Sequence, residues 1–238
     1  MVVTVKNGRK WIEEAIGSIA PALSPAGELV VVDAVSTDGT TEYLRSLTGR
    51  LPLRLVVEPC SMGKGRDRGV RATHAPIVVT QADADVRYRS EAFREGLRTL
   101  DEHPRAGLVL VIGRHDPDPD GTKLFVWRRE FYLSTPGYPD VNMADDVVAL
   151  RQALQQGRVA RCLVDRVGDD LRVASRAYVA VQDPWKKGPG FLRLSRRRYT
   201  QGWNWRTYVR FLWATRRTLP RFLAGFALAS VARLAPAP

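Results

Sequence analysis

The sequence predicts an α/β fold. It expects a doubly wound, mostly parallel sheet with helices on both faces over residues 1–183, then a basic, Trp-rich helical tail over 184–238. Three observations predict it. Strand-like and helix-like patterns alternate four times between Val2 and Val86. The second strand-like run, Leu29 to Val32, is continuously apolar, as in a parallel strand covered on both faces. Charge is segregated as well. The tail holds 12 of the 37 Lys and Arg and no Asp or Glu, so residues 1–183 carry 25 residues of each sign and the net +12 belongs to the tail. The length of 238 residues and 45% hydrophobic content suit one domain with a sizeable core and an appendage.

The elements follow in order. Val2-Val3-Thr4-Val5 is a β-branched strand broken by Lys6-Asn7-Gly8-Arg9. From Trp11 to Leu23 apolar residues recur at 11, 12, 15, 16, 19 and 20, a helical period that Pro21 and Pro25 end. Glu28–Asp33 is the second strand. Ser36 to Gly39 is a turn, with Asp38 and Thr40 structural and Thr40 or Thr41 as cap of the next helix. Leu53–Val57 is the third strand. Gly63 to Gly69 predicts a glycine-rich basic loop leading into a short helix over Val70–Thr73, and Ile77–Thr80 is the fourth strand. Ligands of such sheets sit outside the carboxyl ends of the strands, so Asn7, Asp33, the 63–69 loop and Asp83/Asp85 should share one crevice.

The second half reads as a helix over Ser90–Leu100, a strand over Ala106–Gly113, a basic-aromatic helix over Lys123–Leu133 and a Pro/Gly loop over Ser134–Val141. A helix follows over Asp145–Gln156, with an acidic first turn suited to its dipole and Gly157 as C-cap, before a strand over Val159–Val164. His115 to Gly121 opens like a calcium loop, but Trp127 stands at the twelfth position where Glu belongs, which leaves a rigid surface turn. Cys60 and Cys162 lack metal-ligand spacing and fit buried thiols of a reducing compartment. A strand pattern already starts at residue 2, so no leader is expected, and no apolar run reaches the roughly 18–20 residues of a spanning helix.

Ala82-Asp83-Ala84-Asp85-Val86 carries the most chemistry. An extended chain points Asp83 and Asp85 the same way. Two carboxylates at one strand end repel unless a cation lies between them, and a hard divalent ion shared with phosphate oxygens would serve. A solvated turn is the alternative reading. Lys64, Arg66 and Arg68 either steady a diphosphate or face solvent. His74, His103 and His115 show no ligand spacing.

Several of these segments resemble one family. Val31-Val32-Asp33-Ala34-Val35-Ser36-Thr37-Asp38-Gly39-Thr40 resembles the strand-turn of family 2 glycosyltransferases, and Thr4-Val5-Lys6-Asn7 its opening strand. Gly65-Arg66-Asp67-Arg68-Gly69 resembles its G-x-R-N-x-G helix start, and Ala82 to Asp85 its D-x-D. Asp145-Asp146, with Leu150 and Leu154, resembles its acidic pair before an acceptor-side helix. The resemblance covers residues 1–165 and implies a GT-A, Rossmann-like nucleotide-sugar fold, inverting transfer, Mg2+ or Mn2+, and a UDP- or GDP-sugar donor. It implies Asp33 on the donor base, with Thr4 and Val5 lining that pocket and Asn7 and Arg66 also on the donor. It implies Asp83 at the ribose or metal, Asp85 on the metal, and Asp146 as catalytic base with Asp145 as the alternative. The chain departs from the pattern at Ala34-Val35 for Asp-Gly, Asp67 for Asn, His74-Ala75-Pro76 for a Gly turn, and Asp-Asp for Glu-Asp.

The tail adds a partner. Lys186-Lys187, Arg193 and Arg196-Arg197-Arg198 precede Trp203-Asn204-Trp205, and Tyr208–Leu219 and Phe222–Leu234 read as helices too short to span a membrane. This composition fits a surface-lying membrane anchor on the cytoplasmic face. Nucleic acid ranks lower, because stacking aromatics sit in grooves and not beside an apolar helix. Covering the sheet or a dimer interface is a third reading. The sequence thus reads as a transferase moving a sugar to a hydroxyl or phosphate of a glycan or lipid-linked acceptor. The alternatives are a sugar-phosphate nucleotidyltransferase, whose G-x-G-x-R signature is absent after the first strand, and a non-catalytic membrane- or RNA-binding protein on a degenerate transferase domain.

Overall fold

Odd and even positions of the first strands face opposite ways, and both sets are buried. In β1 (Val2–Val5) and β2 (Leu29–Asp33), Val3, Val5, Leu29 and Val31 enter one core cluster, while Val2, Val30 and Val32 enter the other. Both faces of a parallel sheet are therefore covered, as the continuous apolar run Leu29 to Val32 requires. The computed structural model describes residues 1–114, 122–142 and 145–171. The 115–121 turn and the 184–238 tail lie outside the described residues.

The first sheet has the order β3-β2-β1-β5 and is parallel throughout, with β3 at Leu53–Val57 and β5 at Ala82–Asp83. On one face lies α1 (Ile12–Ile19), whose Ile12, Ile16 and Ile19 pack with Phe93 and Leu100 of α4 (Ser90–Glu102). Joined to β2 by the 34–39 turn is α2 (Thr40–Leu47), and α3 (Met62–Ala72) lies against β1 on the other face. The second sheet has the order β4-β8-β7-β9, from Ile77–Thr80, Lys123–Arg128, Leu108–Gly113 and Val159–Val164. In it β8 runs antiparallel to both neighbours, and β7 pairs β9 in parallel. A two-stranded ribbon joins β6 (Val86–Tyr88) to β10 (Gly168–Asp170), and α5 (Arg129–Leu133) and α6 (Asp145–Gln155) complete the described elements. No helix among the described residues is long and apolar enough to cross a membrane.

The α/β class is as expected, and four local readings are corrected. Gly63 to Gly69 is helix, not loop. Its glycines serve close approach: a Cβ on Gly69 would lie 2.2 Å from Val2 Cγ1, and one on Gly65 2.9 Å from Thr4 Cγ2. Lys123–Leu133 is a strand and then one helical turn, because Leu124 to Trp127 is buried on both sides of a central strand. The start of α2 is capped by Asp38, whose Oδ1 accepts the Thr40 amide at 3.1 Å, with Gly39 at φ +88° in the cap position and both threonines inside the helix. Finally, Asp83 and Asp85 do not share one extended chain: Asp83 ends β5 and Asp85 lies in the turn before β6. The chain breaks at Gln81, φ +64°, leaves the second sheet and re-enters the first as β5.

Candidate active site

The carboxyl ends of β1 and β2 are knitted to each other. The Asn7 amide donates to Ser36 Oγ at 2.8 Å, and Asn7 Oδ1 accepts the Thr37 amide at 2.9 Å. Asp33 is fully buried: its Oδ1 accepts from the Ser36 amide at 3.0 Å and from Ser36 Oγ at 2.6 Å, and its Oδ2 accepts from Thr41 Oγ1. Both carboxylate oxygens of Asp33 are thus bonded within its own turn and the start of α2. Val35 in that turn is exposed and held at φ +59°, and Thr37 and Asp38 are exposed as well. Val5 is buried, and half-buried Thr4 lies in register beside Asp83.

Arg66 is the hinge of the crevice. Its guanidinium is 4% exposed and donates from Nη1 to Asp145 Oδ2 and from Nη2 to Asp83 Oδ1, each at 2.6 Å. Two carboxylates from distant segments would repel, and the planar fork of one guanidinium serves both. Burial alone would lower the Arg66 pKa, but Asp145 and Asp83 more than offset it and the net direction is upward. Burial raises the Asp145 carboxyl, with Arg66 pulling it down and Asp146 adding to the rise. Arg66 thus clamps two carboxylates from inside the fold.

Asp146, the next residue of α6, faces Lys123. Lys123 Nζ lies 2.6 Å from Asp146 Oδ2, with the two side chains 18% and 17% exposed. Burial works to raise the Asp146 carboxyl, but Lys123, with Arg66 behind it, holds it below the usual carboxylate range. Of the acidic pair, Asp145 is enclosed and Asp146 is reachable. Sequence reasoning missed Lys123 because it read residues 123–133 as one helix, and no local signal marks a lysine at the start of a strand as a partner for α6.

The D-x-D pair lies on two kinds of backbone. Asp83 is in β5 with its side chain 37% exposed, while Asp85 is half-buried in the turn before β6. Tyr88 Oη accepts the Asp83 amide at 2.6 Å and donates to the Gln81 carbonyl at 3.1 Å. No group of three or more His, Cys, Asp and Glu suited to a metal occurs among the described residues. Two hard carboxylates are nevertheless the donor set that Mg2+ or Mn2+ uses when substrate phosphates and water supply the remaining oxygens.

The start of α3 offers no phosphate cradle. Its amides are taken: Met62 donates to Asn142 Oδ1 at 2.8 Å, Gly63 to the Val141 carbonyl at 3.0 Å, and Lys64 to Ser61 Oγ at 3.2 Å. The side chains of Lys64 and Arg68 are exposed, and Arg68 pairs with Glu58 at 3.3 Å.

The model of glycosyl transferase family 2 matches residues 1–153, and the chain belongs to that family. Among solved structures, the mannosyltransferase PcManGT from Pyrobaculum calidifontis, in complex with GDP-Man and Mn2+, superposes with a TM-score of 0.63 at 23% identity, covering 100% of this chain and 75% of that one. TarS 1–349 of S. aureus with UDP-GlcNAc gives 0.57 at 19%, covering 79% and 63%. Glucosyl-3-phosphoglycerate synthase from Mycobacterium tuberculosis, with Mn2+, UDP and glucosyl-3-phosphoglycerate, gives 0.56 at 21%, covering 71% and 70%. The chain spans less than two thirds of the TarS structures, down to 35% of the longest. No curated protein sequence matches this chain.

Proposed function

We propose that this protein is a metal-dependent, inverting glycosyltransferase that moves a sugar from a UDP- or GDP-sugar to an acceptor hydroxyl or phosphate. The observation that carries the reading is the Arg66 bridge, which puts the D-x-D carboxylate Asp83 and the helix-start carboxylate Asp145 on one guanidinium, with Asp146 beside them. In this reading Asp83 belongs to the donor side and Asp145-Asp146 to the acceptor side. Thr4 and Val5 line the donor pocket, with Asn7 and Asp33 fixing the loops around it. Asp83 serves the ribose or the metal, and Asp85 serves the metal. Asp85, with Asp83, would hold a Mg2+ or Mn2+ ion, which would supply positive charge opposite the departing diphosphate. Asp146 takes the acceptor proton as general base, because it is the reachable member of the pair and is kept ionised by Lys123. Asp145 positions Arg66. The solved relatives crystallised with GDP-Man or UDP and Mn2+ support the donor and metal classes. Family membership favours transfer over nucleotidyl transfer.

The basic tail supports an acceptor at the cytoplasmic face of a membrane, a lipid-linked glycan or lipid phosphate. The test is calorimetry with UDP and GDP in the presence of Mn2+, followed by donor hydrolysis over a panel of nucleotide sugars. Asp85→Ala should abolish metal-dependent nucleotide binding. Asp146→Asn should keep binding and lower transfer about 10²–10⁴-fold. Full transfer by Asp146→Asn would overturn the base assignment. Liposome pelleting unchanged by deletion of 203–238 would remove the tail's role as a membrane anchor.

A further inference from the structure

The D-x-D turn is built at an awkward place. The chain leaves β4 at Thr80, turns through Gln81 at φ +64°, and pairs with β1 over only two residues before the Ala84-Asp85 turn. Two register pairs and a strained residue do not by themselves fix the relative placement of two carboxylates. Arg66 holds the Asp83 side chain and the Leu171 amide bonds the Asp85 carbonyl, and Tyr88 adds a constraint on the Asp83 backbone. Its hydroxyl reaches back seven residues to the Gln81 carbonyl while accepting the Asp83 amide, so one oxygen closes the loop across its base. The ring is buried and stands 5.6 Å from Phe93 of α4. The Tyr88 amide donates to Ser18 Oγ of α1 at 2.9 Å, and its backbone pairs with Gly168 of β10. Three separate elements therefore set where the hydroxyl stands, and the hydroxyl constrains the Asp83 backbone.

We propose that Tyr88 is a positioning residue of the metal-binding turn, holding Asp83 and Asp85 at the spacing that a divalent ion and its diphosphate require. This rests on the functional reading above. Mg2+ and Mn2+ tolerate little departure from octahedral geometry, and loss of a group that orients a ligand costs about 10–100-fold in metal affinity. Tyr88 touches neither metal nor donor in this account and acts through the Asp83 backbone.

The test is Tyr88→Phe in the full chain, which keeps the ring and removes one oxygen. Mn2+ binding is read by electron paramagnetic resonance at saturating UDP or GDP, together with metal-free nucleotide binding and the thermal midpoint. The expected result is a Mn2+ dissociation constant raised about 10–100-fold with metal-free nucleotide binding unchanged. Phe93→Leu serves as the control for general destabilisation: Ser18 and β10 still hold the Tyr88 backbone and the hydroxyl is kept, so it should lower the midpoint and leave Mn2+ affinity within about threefold. Unaltered Mn2+ affinity in Tyr88→Phe overturns the proposal, as does an equal loss in both variants, because either makes the residue merely structural. If the wild-type chain binds no Mn2+ with either nucleotide, the metal-dependent reading itself has failed, an outcome separate from the first two.

Discussion

Arg66→Met is the sharpest perturbation of this structure. Methionine fills much of the arginine volume, so the change removes the charge and five donors and leaves Asp145, almost fully buried, without its counter-ion. Removing one partner of a buried ion pair costs about 3–5 kcal/mol, since the remaining charge keeps its desolvation penalty. For a domain of this size each kcal/mol corresponds to about 2–4 °C, so the melting temperature should fall by about 6–20 °C. The loss has a signed pH dependence. Burial already raises the Asp145 carboxyl, and Arg66 opposes that rise. Without Arg66 the folded pKa climbs further above the unfolded one, the folded state binds more protons, and stability declines as pH rises between the two. The deficit measured by urea unfolding should therefore be larger at pH 8 than at pH 5. Arg66→Lys should recover only part of it, because one ammonium cannot fork between Asp145 and Asp83. A melting temperature within about 2 °C of wild type, or a deficit that shrinks as pH rises, would refute the reasoning.

Two further outcomes follow from the same geometry. In Lys123→Met the Asp146 carboxyl loses the partner that depresses its pKa, so the acid limb of kcat/KM should move to higher pH while the alkaline side is unchanged; a fixed acid limb would exclude Asp146 as the titrating base. Gly69→Ala places a methyl 2.2 Å from Val2 Cγ1 and should destabilise by about 1–3 kcal/mol, with Val2→Ala in the same chain restoring part of it, as urea midpoints of the single and double variants would show.

Part of this site is legible without coordinates. The Val2–Val5, Leu53–Val57, Ile77–Thr80 and Val159–Val164 strands fall where β-branched and apolar runs place them, because a strand leaves a local signature in composition and length. Asp83-x-Asp85 and Asp145-Asp146 stand out for the same reason: each is a short pattern beside a strand end or at a helix start. Gly63 to Gly69 misled because glycine has two uses. Sequence shows the residue and not whether it supplies a positive φ or a missing Cβ, and here the neighbours Val2, Thr4 and Pro139 decide for the missing Cβ. Lys123–Leu133 misled because a buried central strand and a buried helix share an apolar run of that length, and the flanking strands β4 and β7 decide between them.

By itself, then, the sequence determined the α/β class, the alternating elements of the first half and the acidic residues around which the site is built. These depend on side-chain periodicity within a few residues. Only the tertiary structure decided what each charge faces. Arg66 meets Asp145 across 79 positions, Lys123 meets Asp146 across two elements, and Asp33 turns inward to Ser36 and Thr41. The energy of a charge depends on its nearest partner and on its burial. Both are properties of chain positions brought together by folding, and neither is written in the local pattern of residues.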